Sequence, residues 1–265
     1  MIRIHPLIYS LIALLLVIGT FYDLPISMQV FDPHSSFGSF FQAYGHVPSL
    51  FLCGIAAILL SKDSRNALTK CLFIVLVGIL LMVIHRMTYL PLVVMVLLAI
   101  GMAWAAEYFS RKNYAGGIYW SKVATSTLIM SNITLQCLKM IWGRPRFKYI
   151  THPEQEFFPW YKVNHLTTED VFMSFPSGHS ANAAIIVSLV LLVAVFYSKN
   201  RPARWLAMVF AFIWTGLVMA SRVVYGNHFV TDTAMGTLIT LLFFQHFQNY
   251  YSVENLEDVK TPGKL

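Results

Sequence analysis

The stretch FMSFPSGHSANAAIIVSLVLLVAVF, Phe172 to Phe196, joins two incompatible chemistries. From Gly178 onward it is apolar over about the ~20 residues needed to cross a bilayer. At its mouth stand Pro176, Ser177, Gly178 and His179. Lipid offers nothing to a serine or a histidine, so these side chains face something else. Pro176 precedes the helix, Ser177 sits where an N-cap belongs, and Gly178 opens the first turn. A helix start offers unpaired N–H donors and a partial positive charge, which suit an anion, and glycine lets that anion approach the backbone. Ordinary capping accounts for Ser177 and Gly178. It does not account for the imidazole of His179.

The rest of the chain extends the membrane reading. Of the 265 residues, 57% are hydrophobic and only 12% charged, against about 25% charged in a soluble domain. The mean hydropathy is +0.62. The apolar residues fall into runs, which predict eight helices at about 6–22, 45–61, 67–86, 89–109, 119–142, 178–197, 204–222 and 228–248. The expected fold is all-α, a polytopic membrane helix bundle of about eight spans with both termini cytoplasmic. The first run reads as an uncleaved helix, since no small-x-small cleavage site follows it.

The net charge of +7 does not point to nucleic acid, because the basic residues lie in short loops instead of forming a stripe. With the N-terminus inside, inner loops hold Arg3, Lys62, Arg65, Lys70, Arg111, Lys112, Lys122, Lys199, Arg201 and Arg204. The first outer loop, about 23–44, has no Lys or Arg. Its SSFGSFFQAYGHVP stretch reads as an aromatic interfacial element. Glu107, near an inner helix end, is given no role. Cys53, Cys71 and Cys137 lie in apolar runs and suggest neither disulfides nor a metal site.

Three polar clusters break the orientation rule on the outer side. The first is LKMIWGRPRFKY, Leu138 to Tyr149, with Lys139, Arg144 and Arg146 around the helix stop at Gly143. The second is the Pro176–His179 mouth. The third is SRVVYGNHFVTD, Ser221 to Asp232, where Arg222 ends one helix, Gly226-Asn227 turns the chain, and His228 and Asp232 share a face of the next. Snorkelling explains one or two such charges but not their density. An ionisable group at membrane depth is a functional candidate by default. Lys139, Arg146, Arg222 and free backbone N–H groups form a set of donors without an acceptor, suited to a phosphate. Two histidines add a nucleophile and an acid, and a carboxylate beside His228 would orient it. Acidic clusters for magnesium are absent. His179, His228 and Asp232 could ligate zinc, but the adjacent cations would repel it. No metal or cofactor is called for.

Lys139-x6-Arg146, Pro176-Ser177-Gly178-His179 and Ser221-Arg222-x5-His228-x3-Asp232 together resemble the three-part signature of the type 2 phosphatidic acid phosphatase (PAP2) superfamily. The resemblance implies a six-helix PAP2-like core plus an N-terminal two-helix hairpin, with residues 1–66 as the hairpin, 67–250 as the catalytic membrane domain and 251–265 as a cytoplasmic tail. It implies His228 as the nucleophile forming a phosphohistidine, Asp232 orienting it, and His179 as general acid. Lys139, Arg146, Ser177, Gly178 and Arg222 would bind the substrate's phosphoryl oxygens. Phe147 stands where the family usually has proline, which bears on loop shape rather than chemistry. Arg144 occupies an often basic position and takes a secondary role.

The expected function is therefore a metal-independent integral membrane lipid-phosphate phosphatase with its site on the outer face. Its substrate would be phosphatidic acid, phosphatidylglycerol phosphate or undecaprenyl diphosphate. The partners are the lipid phosphate and membrane lipids, with no nucleic acid and no obligate protein. Short loops and the lack of extra domains suit a bacterial cytoplasmic membrane. A lipid phosphotransferase would share the first half-reaction. An anion transporter would place its charges at mid-membrane, at broken helices, whereas these sit at one end. Pro159, Trp160 and Tyr161, in the loop 147–175, read equally as lid or interfacial anchor.

Overall fold

The computed structural model describes residues 4–64 and 66–260. Arg3, Arg65 and the end of the expected tail, 261–265, lie outside them. All eight expected helices are present: α1 (Pro6–Val30), α3 (Val47–Asp63), α4 (Ala67–Thr88), α5 (Leu92–Lys112), α6 (Tyr114–Trp142), α8 with α9 (Gly178–Ala184 and Ser188–Phe196, joined by a 3-10 turn), α10 (Arg201–Val224) and α11 (Val230–Lys260). Two further helices are shorter, α2 (Ser36–Tyr44) and α7 (Pro153–Glu156).

Local chemistry sets the boundaries. Asn113 caps α6 by accepting from the Gly116 N–H at 3.0 Å, so this helix starts ahead of the expected residue 119. Gly143 ends it with φ +57°, a left-handed stop that glycine adopts freely. α1 passes residue 22 because its later polar residues, Asp23 and Ser27, are buried against the bundle and not in water. The aromatic element before α3 is α2, capped by Ser35. It packs on α10, with Phe41 edge-on to Trp214 at 5.3 Å.

Among the described residues, six segments are long and apolar enough to cross a membrane: α1, α2–α3, α4, α5, α8–α9 and α10. α6 and α11 are as long, at 29 and 31 residues, but more polar. They run through the middle of the bundle against each other and against α3 and α8, so their Ser and Thr side chains meet protein instead of lipid. The periphery is apolar. Leu72, Ile79 and Met82 of α4 and Leu97, Ile100 and Trp104 of α5 are exposed.

The two ends of the bundle differ. At one, Glu107 accepts from Lys62 and Arg111, a surface network that gives that carboxylate an interfacial role. At the other, the end of α1, the starts of α3, α8 and α11, and the ends of α6 and α10 converge.

Candidate active site

Lys139 lies in the last turn of α6. Its Nζ donates to the Met173 carbonyl at 2.8 Å. Its stem passes Gly178, where a Cβ would sit 3.9 Å from Lys139 Cε. The first and second clusters therefore meet. Arg146 stands at the rim, with Nε on the Asp170 carbonyl at 2.8 Å and Nη2 on the Asp170 carboxylate at 2.5 Å.

Arg144 is fully buried and turns inward. It pairs with Asp23 of α1 at 3.0 Å and with Asp232 of α11, donates to Thr231 at 2.9 Å, and gives its Nε to the Phe158 carbonyl at 2.8 Å. Its guanidinium lies 4.1 Å from the Phe229 ring centroid. Thr231 closes the circuit by donating to Asp23 through both its backbone N–H, at 3.1 Å, and its hydroxyl. One buried cation is thus shared by two buried carboxylates on the first and last helices. A buried charge needs such pairing to be tolerated.

The third cluster closes on Ser174, a residue in none of the sequence motifs. The His228 Nδ1 lies 2.6 Å from the Ser174 carbonyl. A carbonyl only accepts, so Nδ1 carries the proton and Nε2 of the neutral ring keeps its lone pair. The direct Asp232–His228 bond expected from the sequence is replaced by a relay, since Nδ1 is 3.8 Å from Asp232 Oδ2. That oxygen accepts instead from the Ser174 hydroxyl at 2.5 Å and the Phe229 N–H at 2.8 Å. Asp232 thus holds Ser174, and Ser174 holds the imidazole. With Arg144 also on Asp232, this carboxylate is fully engaged. Among the described residues no group of three or more His, Cys, Asp or Glu side chains is placed to hold a metal.

Ser177 caps α8, accepting from the Ser180 N–H at 3.3 Å, and its own N–H donates to the Asp232 carbonyl at 2.9 Å. The contact with α11 is close enough that a Cβ on Gly236 would lie 2.3 Å from the Ser177 carbonyl oxygen. The first helical bond runs from the Ala181 N–H to the Ser177 carbonyl, which leaves the N–H groups of Gly178 and His179 ahead of it.

Arg222 is fully buried at the end of α10. It donates to the Gln42 side chain and, at 2.6 Å, to the Gly38 carbonyl, both in α2. Gln42 also accepts from Asn227 at 2.9 Å. Four residues on, the buried His46 stands edge-on to His179, ring centroids 5.5 Å apart at 77°. The Nε2 atoms of both rings are buried without a hydrogen-bond partner. An orphaned buried polar atom costs about 1–3 kcal/mol.

All eight sequence-selected residues therefore lie at one end of the bundle, around His228. Lys139 and Arg222 have only neutral partners among the described residues, whereas Arg146 and Arg144 have carboxylates. Sequence reading missed Asp23, Gln42, His46 and Ser174 as parts of this end, and understated Arg144. Asp23 had a usable signal, an acid at the end of an apolar run. Ser174 acts through its backbone carbonyl and had none. Of the loop aromatics, Trp160 turns inward, donating to Thr20 of α1 at 3.0 Å while its carbonyl accepts from Trp142 at 2.6 Å, and Tyr161 is exposed.

A family model of the PAP2 superfamily matches residues 120–255. Phosphatidylglycerophosphatase B of Bacillus subtilis (strain 168) is 30% identical over 144 residues, which cover 53% of this chain and 60% of that protein. The match thus spans less than two thirds of that relative's length. No solved structure matches the chain.

Proposed function

Since the chain belongs to the PAP2 superfamily, we propose that it is an integral membrane phosphatase that removes a terminal phosphate from a lipid, with His228 as nucleophile. The observation that carries this reading is the 2.6 Å contact between His228 Nδ1 and the Ser174 carbonyl, which leaves Nε2 as the basic nitrogen among cations. The relative's printed name, a phosphatidylglycerophosphatase, makes phosphatidylglycerol phosphate the first substrate to test.

Lys139, Arg222 and Arg146 and the N–H groups of Gly178 and His179 hold the phosphoryl oxygens, with Ser177 fixing that turn. Their charges match the negative charge that develops on those oxygens. The His228 Nε2 lone pair forms a bond to phosphorus as the bond to the lipid oxygen breaks. His179 gives that oxygen its proton, and the lipid alcohol leaves. Water then attacks the phosphohistidine and returns its proton to His179. The P–N bond breaks, freeing inorganic phosphate and neutral His228. The basic loops at the opposite end support a site on the outer face of the membrane, by the positive-inside rule.

The test is phosphate release by the purified protein in detergent with EDTA, from phosphatidylglycerol phosphate, phosphatidic acid and undecaprenyl diphosphate side by side. The expected result is release that survives EDTA and falls to background in His228→Ala. Release that persists in that variant would overturn the histidine mechanism. A wild-type protein that cleaves none of the three would overturn the phosphatase reading.

A further inference from the structure

Among the described residues, His46 is the buried imidazole at this end that has no part in the proposed mechanism, and it lies outside the residues matched by the family model, 120–255. Its turn is fixed from several sides. Gln42 is tied to Arg222 and Asn227, the Gly45 carbonyl accepts from Trp214 at 2.7 Å, and Ser49 donates to the Ala183 carbonyl at 3.1 Å. These bonds press the turn onto α8 and α10, whose His179 and Arg222 face the site. His46 is 4% exposed and its Nε2 is unpartnered, as is the buried Nε2 of the His179 ring beside it. If the ring served only to pack against His179, a phenylalanine would do so without orphaning a nitrogen. The imidazole therefore has a polar use when the site is filled.

We propose that His46 and His179 form a subsite for the leaving group: His179 serves the scissile oxygen, and His46 hydrogen-bonds a polar group next to it. The preferred substrate is then a lipid phosphate whose departing oxygen has a hydroxyl or a second phosphate as its neighbour, rather than a bare alkyl chain. This rests on the phosphatase reading and names a substrate class within it. A site built to hydrogen-bond a substrate group rejects the analogue that lacks it, because its own polar atom is left unpaired.

The experiment measures kcat/KM in detergent for phosphatidylglycerol phosphate (neighbouring hydroxyl), undecaprenyl diphosphate (neighbouring phosphate) and hexadecyl phosphate (neither), in wild type, His46→Phe and His46→Gln. In His46→Phe, one or both of the first two should fall about ten-fold, the loss of one hydrogen bond, with hexadecyl phosphate within about two-fold. Which of the two falls identifies the neighbouring group. His46→Gln should recover part of the loss. A parallel fall on all three substrates would mean a structural role and overturn the proposal, as would no fall on any. Activity that survives His228→Ala would instead overturn the histidine mechanism, and absence of wild-type activity on all three would overturn the phosphatase reading and the subsite with it.

Discussion

His228 is oriented by main chain, and this changes which substitutions matter. The Ser174 carbonyl survives any side-chain change, but the Ser174 hydroxyl also fastens Asp232. Two cations at this end play opposite parts. Lys139 has only a neutral carbonyl partner, which on the proposed reading leaves its charge for a phosphate. Lys139→Met should leave the fold intact and lower kcat/KM by about 10²–10³-fold, as loss of a donor to developing charge does; phosphate release and thermal unfolding in detergent would check the two halves. Arg144 is committed to Asp23 and Asp232. Arg144→Ala would strand two buried carboxylates, at about 3–5 kcal/mol for a broken buried pair, and should appear as a sharply lowered unfolding temperature in detergent. The motif residues were legible because their types, an acceptor-free donor set and two histidines, are rare where lipid is expected. Ser174 was not, since a carbonyl belongs to every residue.

At the scale of the helix, close approach decides what is tolerated. α11 lies against the Ser177 turn only because residue 236 has no Cβ. Gly236→Ala should push the turn from α11, lowering both activity and unfolding temperature. Gly216→Ala on α10 meets nothing within 4 Å and should leave activity unchanged, with stability equal or raised by up to about 1 kcal/mol from the helix preference. The helices themselves were legible from apolar runs, and the Gly143 stop from its residue type. The end of α1 and the start of α6 were not, because hydropathy assigns polar residues to water. Asp23 and Ser27 instead point into protein. The hairpin that the resemblance implies for residues 1–66 reaches the site, since α1 and α2 touch it through Asp23, Gln42 and Gly38.

For the whole molecule, the convergence of α1, α3, α6, α8, α10 and α11 at one end makes sidedness a single question. Lys162 and Lys199 are exposed and lie toward opposite ends. In a background lacking Cys71 and Cys137, the exposed thiols, Lys162→Cys should react with an impermeant maleimide in intact cells and Lys199→Cys only after permeabilisation. The reverse pattern would turn the site to the cytoplasm.

The shared guanidinium also sets a clock. Asp23 is synthesised 121 residues before Arg144, and Asp232 arrives later still. At about 5–20 residues per second the ribosome leaves that carboxylate without its counter-ion for roughly 6–24 s. During that interval α1 is already in the translocation machinery, and an unpaired acid is kept from the bilayer centre only by its place near the end of the helix. A chain interrupted before Arg144 leaves Asp23 unpaired, and one interrupted before Asp232 lacks the complete charge circuit. α11 and the turn before it bring both Asp232 and His228, so on the proposed reading a half-built copy lacks its nucleophile and cannot begin to cleave lipid phosphates in the membrane that is receiving it.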